Sequence, residues 1–276
     1  MKKSVWSWIT GIAIGCMGIL VVCGLIGAVG YLFVRDSVQR ADEMGRLQQE
    51  VETRNGGLAD YVPAPDGSIP AERMEAFLRV REYCDPVRKR LAASFDNIAS
   101  DLENVQQGGG LLSVLRLFGR GVDVVPHFTE FYSARSQALL DARMGFGEYF
   151  YIYAVSYYSF LGKPLEDGPG VLIVREGDRS ENVPAEEVPE RRRALILRRV
   201  HRVVVRSLEN GRLTARQPWK QVLDQELTLL EARPDRIPWQ DGVPPSLAQS
   251  LEPFRRNLEE QYLRLTNPLE TGPNEG

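Results

Sequence analysis

The stretch Phe146-Gly-Glu-Tyr-Phe-Tyr-Ile-Tyr-Ala-Val-Ser-Tyr-Tyr-Ser-Phe-Leu161 holds eight aromatic residues and one charge, Glu148. Wound as a helix, it turns apolar or aromatic groups to every side. A helix on a surface keeps one polar face, so this one belongs at the centre of a bundle. It is too short, too rich in tyrosine and too charged for a membrane crossing, which takes about 20 apolar residues.

Tyr149, Tyr153 and Tyr157 recur every fourth residue and share one face. Two readings follow. The row lines a cleft for a sugar or a lipid chain, or it fills the core with each hydroxyl bonded to backbone or a polar neighbour. Core filling is the commoner outcome. Glu148, at the start of the helix, must be at least partly buried. A buried carboxylate is either paired or pushed up in pKa. Arg79, Arg81 and Arg143 are the expected partners, and a role as general acid or base is the rival.

Towards the N-terminus, Gly145-Phe-Gly147 marks a break or a tight crossing. Helical spacing precedes it from about Pro126 through Phe128, Phe131, Tyr132, Leu139 and Leu140. A short apolar helix is expected over 111–118, closed by Gly119-Arg-Gly121. A helix starts at Pro70, with Glu72 complementing its dipole. Asp85-Pro86 resembles an N-cap and first-turn pair, so a break or kink is expected there before a second helix running to about Gln107. Cys84 shares a face with Phe77, Val80 and Val87, which makes it a buried thiol.

Towards the C-terminus, residues 162–189 read as a loop, with a short strand near 171–174. Residues 190–210 form an amphipathic helix ended by Gly211. Its Arg191, Arg198, Arg202 and Arg206 make one stripe, and Leu197, Val200, Val204 and Leu208 lie opposite. A basic stripe is either a solvated face or a contact for anionic lipid or an acidic partner. Helices over 219–232 and 246–266 follow, the second containing Pro253. Residues 267–276 read as a disordered tail.

At the other end, residues 4–34 run without a charge. Trp8 and Tyr31 lie about 35 Å apart on a helix, the spacing of two interfacial belts. A cleavable signal has an apolar core of roughly 7–15 residues and a small-residue cleavage site, and neither fits here. The segment is expected to be a single-pass signal anchor contacting the bilayer through residues 4–34. The charges flanking it are nearly balanced. A short N-terminal tail before a long domain places that domain outside the cytoplasm of a bacterial inner membrane. Gly11 and Gly15 make a G-x-x-x-G pair, and Gly27 and Gly30 continue small residues along a face that suits homo-oligomer packing.

The expected organisation is all-α: a transmembrane helix (1–35), a stalk and linker (36–69), a multi-helix bundle (70–266) and the tail (267–276). A net charge of −3 gives no pull towards nucleic acid. Arginine outnumbers lysine by 29 to 5, which reads as the composition of a GC-rich bacterial genome. His127 and Glu130 have a metal-like spacing but no second pair, and no cofactor or metal motif is present. The favoured function is therefore a non-enzymatic interaction module beside the membrane, meeting an envelope protein or anionic lipid. The alternatives are an envelope glycan- or lipid-acting enzyme using Glu148, or a carrier of apolar ligands.

Overall fold

The computed structural model describes residues 39–106, 111–170, 172–176 and 179–271. The expected membrane helix, with Gly11, Gly15, Gly27 and Gly30, lies outside them. Among the described residues, no helix is long and apolar enough to cross a membrane. The chain divides between Glu43 and Met44 into two units, and the helical core belongs to the second.

Helix α1 covers residues 39–55. Two long helices follow, α2 (Ala71–Gln106) and α3 (Leu111–Asp141). They run antiparallel: Phe95 meets Phe128 edge-on at 5.8 Å, and Arg90 pairs with Glu130. Neither expected interruption occurs. Helix α2 passes through Pro86, and α3 passes through Gly119, Gly121 and Pro126. Proline removes one helical hydrogen bond, here the one to the Glu82 carbonyl. Glu82 and Pro86 are both exposed, so water can satisfy that carbonyl and the helix survives.

The aromatic stretch is helix α4 (Phe146–Tyr153), which continues as a π-helix over Ala154–Phe160. Residues 149–158 are all buried. Widening the turn changes which side chains share a face, and Tyr157 and Tyr158 both end inside the core. The loop that follows holds a hairpin of β1 (Ile173–Glu176) and β2 (Arg179–Asn182). The strands pair antiparallel, Ile173 opposite Asn182 and Glu176 opposite Arg179.

A long helical rod comes next: α5 (Val188–Val200), a π-helical turn (His201–Val205) and α6 (Arg206–Thr214). It packs Ile196, Val200, Val203, Val204 and Leu208 into the main core beside α4. Gly211 lies inside α6 rather than ending it. Helix α7 has the bounds read from the sequence, Trp219–Ala232. The expected helix over 246–266 is divided into α8 (Pro245–Leu251), a 3-10 turn at Pro253 (Glu252–Phe254) and α9 (Arg255–Gln261). A 3-10 turn (Arg264–Thr266) and the short α10 (Asn267–Glu270) end the described chain.

Two boundaries need correction. Residues 44–69 are no stalk or linker standing apart from the bundle. Val51 and Ile69 are buried in the main core, and the Tyr61 ring lies 5.1 Å from that of Tyr151. Gly145 makes this possible. A Cβ there would fall 2.3 Å from the Asn55 carbonyl oxygen, so the α1 end seats directly on the turn before α4. The second correction is the tail. Thr266, Asn267, Glu270 and Thr271 are all buried, because the core contains cations that this segment neutralises.

Candidate functional site

Helix α2 places Arg81, Cys84 and Arg88 on one face, at spacings of three and four. That face points into the bundle, and both guanidiniums are 1% exposed. Helix α3 adds Arg135, also 1% exposed. Three cations thus sit where a bundle normally places leucine.

Glu270 is the carboxylate that meets them. Its Oε1 lies 3.2 Å from Arg81 Nη1 and 3.0 Å from Arg88 Nε, and its Oε2 accepts a 2.7 Å hydrogen bond from the Tyr149 hydroxyl. Burial alone would raise its pKa. Arg81 and Arg88, helped by Tyr149 and Arg135, outweigh burial and hold the carboxyl below its ordinary value.

One carboxylate does not balance three guanidiniums. Aromatic faces and peptide carbonyls take up the surplus. Arg81 lies 4.7 Å from the Tyr157 ring centre and 5.1 Å from that of Tyr153. Arg135 lies 5.0 Å from Tyr132 and 5.4 Å from Phe131. A cation over such a ring is attracted by its quadrupole, most strongly where water is absent. Arg81 and Arg88 both donate to the Gln261 carbonyl, at 2.8 and 2.6 Å. Arg135 donates to the carbonyls of Leu269 and Glu270, at 3.0 and 3.2 Å. Arg88 Nη1 and Arg135 Nε still have no acceptor among the described residues.

The tyrosine row therefore works inside the core. Tyr149 and Tyr153 stack with ring centres 6.5 Å apart, the Tyr157 ring lies tilted 4.7 Å from that of Tyr153, and none of the three exceeds 2% exposure. The Tyr153 and Tyr158 hydroxyls donate to Asn267 Oδ1 at 2.8 and 2.9 Å. The Asn267 amide donates in turn to the Asp167 carbonyl at 3.0 Å. Burial pushes the phenol pKa of each of these tyrosines upward.

Glu148 stands elsewhere. None of the expected partners holds it. Arg73 Nε donates to its Oε1 at 2.6 Å and Arg73 Nη2 to its Oε2 at 2.5 Å, a bidentate pair. The same guanidinium donates to the Arg143 carbonyl at 3.2 Å. Glu148 also lines a surface cleft of about 180 Å³ with Asn55, Gly57, Asp60, Tyr61, Val62 and Gly145. Asp60 is occupied there too, accepting from the Gly57 N–H at 2.7 Å.

The arginine stripe faces outward. Arg191, Arg198, Arg202 and Arg206 are all exposed. Arg191 and Arg206 have acidic neighbours close in sequence, Glu187 at 3.6 Å and Glu209 at 3.4 Å. Arg192 and Arg199 point away from the stripe. Arg192 is buried on the Glu166 and Pro169 carbonyls, and Arg199 reaches the Pro268 carbonyl at 3.3 Å. His127 lies 3.5 Å from Glu130. Among the described residues, no three His, Cys, Asp or Glu side chains gather to hold a metal ion.

Sequence reasoning missed Arg88, Arg135, Asn267 and Glu270, and gave Arg81 to Glu148 where the structure pairs it with Glu270. A usable signal existed. Arg81 and Arg88 interrupt the apolar stripe Phe77, Cys84, Leu91, and Arg135 interrupts Phe131 and Leu139. Comparison with protein-family models, with curated proteins and with solved structures gives no match to this chain.

Proposed function

We propose that this protein is a non-enzymatic interaction module tethered to a bacterial inner membrane by residues 4–34. The uncharged run supports the tether, and we take the bundle to lie outside the cytoplasm. Gly11, Gly15, Gly27 and Gly30 suit pairing of two such tethers. The observation that carries the reading is the exposed stripe of Arg191, Arg198, Arg202 and Arg206 on a rod whose opposite face is core. Such a face attracts an acidic surface, and we take an acidic envelope protein as its partner. The Tyr149 and Tyr153 hydroxyls and the Glu148 carboxylate already have internal partners, which speaks against a catalytic reading.

The test is site-specific photo-crosslinking in cells from position 194, exposed and on the stripe. Adducts to an envelope protein are expected, with loss in the R198E/R202E double variant. Adducts to phospholipid alone would replace the protein partner with the anionic membrane surface. Adducts unchanged by charge reversal would make the stripe an ordinary solvated face.

The cleft holding Glu148 and Asp60 favours a second reading, an enzyme acting on envelope glycan or lipid. There Glu148→Gln would abolish turnover of that substrate and leave the helical content intact.

A further inference from the structure

We infer that the cluster of Arg81, Arg88, Arg135, Tyr149, Tyr153 and Tyr158 is a receptor for an acidic peptide. The chain's own residues 263–271 occupy it, and the same segment of a second copy can take their place. The manner of contact argues this. After α9 the backbone leaves helix at Tyr262 and Leu263, both extended. Beyond that point the segment joins no long helix and no sheet. It is held by side chains of earlier elements, as a bound peptide is.

Those side chains read its backbone and two of its side chains. Arg135 takes the Leu269 and Glu270 carbonyls, and Arg199 takes the Pro268 carbonyl. Tyr153 and Tyr158 hold the Asn267 amide oxygen, and Arg81, Arg88 and Tyr149 hold the Glu270 carboxylate. Leu269 and Leu265 pack on the apolar cluster of Cys84, Val87, Leu91, Phe95, Phe131 and Tyr132. The ligand class is thus an Asn-Pro-Leu-Glu segment, with carboxylate and amide recognised by charge-assisted and neutral hydrogen bonds.

One further observation favours exchange. The receptor carries three guanidiniums against one carboxylate, with Arg88 Nη1 and Arg135 Nε lacking acceptors. An emptied receptor would therefore strongly favour another anionic segment.

The test uses the full-length protein in detergent and a fluorescein-labelled peptide of residues 263–276. Glu270→Gln weakens the resident segment, so the peptide should bind that variant at least about ten-fold more tightly than wild type by anisotropy. A peptide carrying the same Gln should not bind. Failure of the labelled peptide to bind a folded E270Q protein would overturn the inference.

Cys84, buried in the same apolar cluster as Leu269, gives a second readout that needs no variant. Its alkylation in the wild type is followed by mass spectrometry of the tryptic fragment 82–88. Alkylation nearly independent of low urea, and slowed by excess peptide, reports release of the segment alone. Alkylation that tracks global unfolding would show a segment fused into the core and sink the idea, even if E270Q failed to fold.

Discussion

Glu270 Oε1 lies 3.2 Å from Arg81 Nη1 inside the bundle, so the end of the chain neutralises a helix near its beginning. Both side chains are essentially inaccessible to water. Breaking such a pair from one side strands the other charge, at a cost of about 3–5 kcal/mol. Glu270→Ala would leave Arg81, Arg88 and Arg135 without a buried carboxylate. A loss of about 3 kcal/mol or more in urea unfolding is expected, with a smaller loss for Glu270→Gln, which keeps two polar atoms in place. Equal stability of wild type and Glu270→Ala would remove the cluster from the account of the fold.

The pH dependence follows from the same groups. Arg81 and Arg88 hold the Glu270 carboxyl below its ordinary value against burial. A depressed folded pKa gives stability that is present above the unfolded value, about 4.3. That stability is lost as pH falls through the lower folded value. Burial pushes the Cys84 thiol the other way, up to about 12. A raised folded pKa gives stability that is full below the unfolded thiol value, about 8.5, and is lost as pH rises beyond it. The buried tyrosines act in the same sense from about pH 10. Unfolding free energy measured by urea should thus plateau between about pH 5 and 8 and decline on both sides. A maximum near pH 4 would contradict the buried Glu270 pair.

Much of this fold is legible from side-chain periodicity. The aromatic stretch 146–161 reads as buried because no polar face exists, and 149–158 are buried. Trp219–Ala232 and the outward stripe of Arg191, Arg198, Arg202 and Arg206 follow from ordinary amphipathicity. Arg88 and Arg135 are hidden, and Arg81 is given to Glu148, because arginine is assigned to the surface unless its partner is known. That partner lies in a segment whose Asn, Pro and Gly suggest a tail. Glu148 shows the same limit at shorter range. Periodicity brings α2 to α4 but does not fix their axial register, and register selects Arg73 over Arg79 or Arg81. The π-helical turns at Ala154–Phe160 and His201–Val205 arise from packing and carry no local sequence mark.

Gly145 and Gly147 make a sharper test of packing. An added Cβ would fall 2.3 Å from the Asn55 carbonyl oxygen at the first position and 2.7 Å from the Leu58 carbonyl oxygen at the second. Both obstacles are backbone, so relief requires moving the chain that links α1 to α2. Gly145→Ala and Gly147→Ala should each cost about 1–3 kcal/mol. Gly162→Ala has open space but a φ of +62°, so its smaller loss would come from backbone strain alone. Thermal unfolding of the three variants separates the mechanisms. A ranking with Gly162→Ala worst would contradict the close approach.

Arg73 and Glu148 offer a coupling measurement. Their side chains are 26% and 14% exposed, so solvent screening reduces the pair well below the buried cluster. Arg73→Ala, Glu148→Gln and the double variant should give a coupling energy of about 1–2 kcal/mol in urea unfolding. A coupling near zero would free Glu148 for chemistry in its cleft and raise the enzymatic reading.

The stripe makes the opposite prediction for stability. Arg198 and Arg202 are exposed, and neither lies on the buried face of the rod. Their reversal to glutamate should change unfolding free energy by no more than about 0.5 kcal/mol, since surface substitutions away from packed features rarely do more. Partner capture should nevertheless be lost, and capture by the wild type should weaken as salt rises from 0.05 to 0.3 M, because exposed charges are screened over a Debye length of about 8–10 Å near 0.1–0.15 M. Thermal melts alongside salt-dependent crosslinking from position 194 check both halves. A destabilised double variant would mean that the arginines stabilise the rod itself. Capture insensitive to salt would require an apolar contact in place of the stripe.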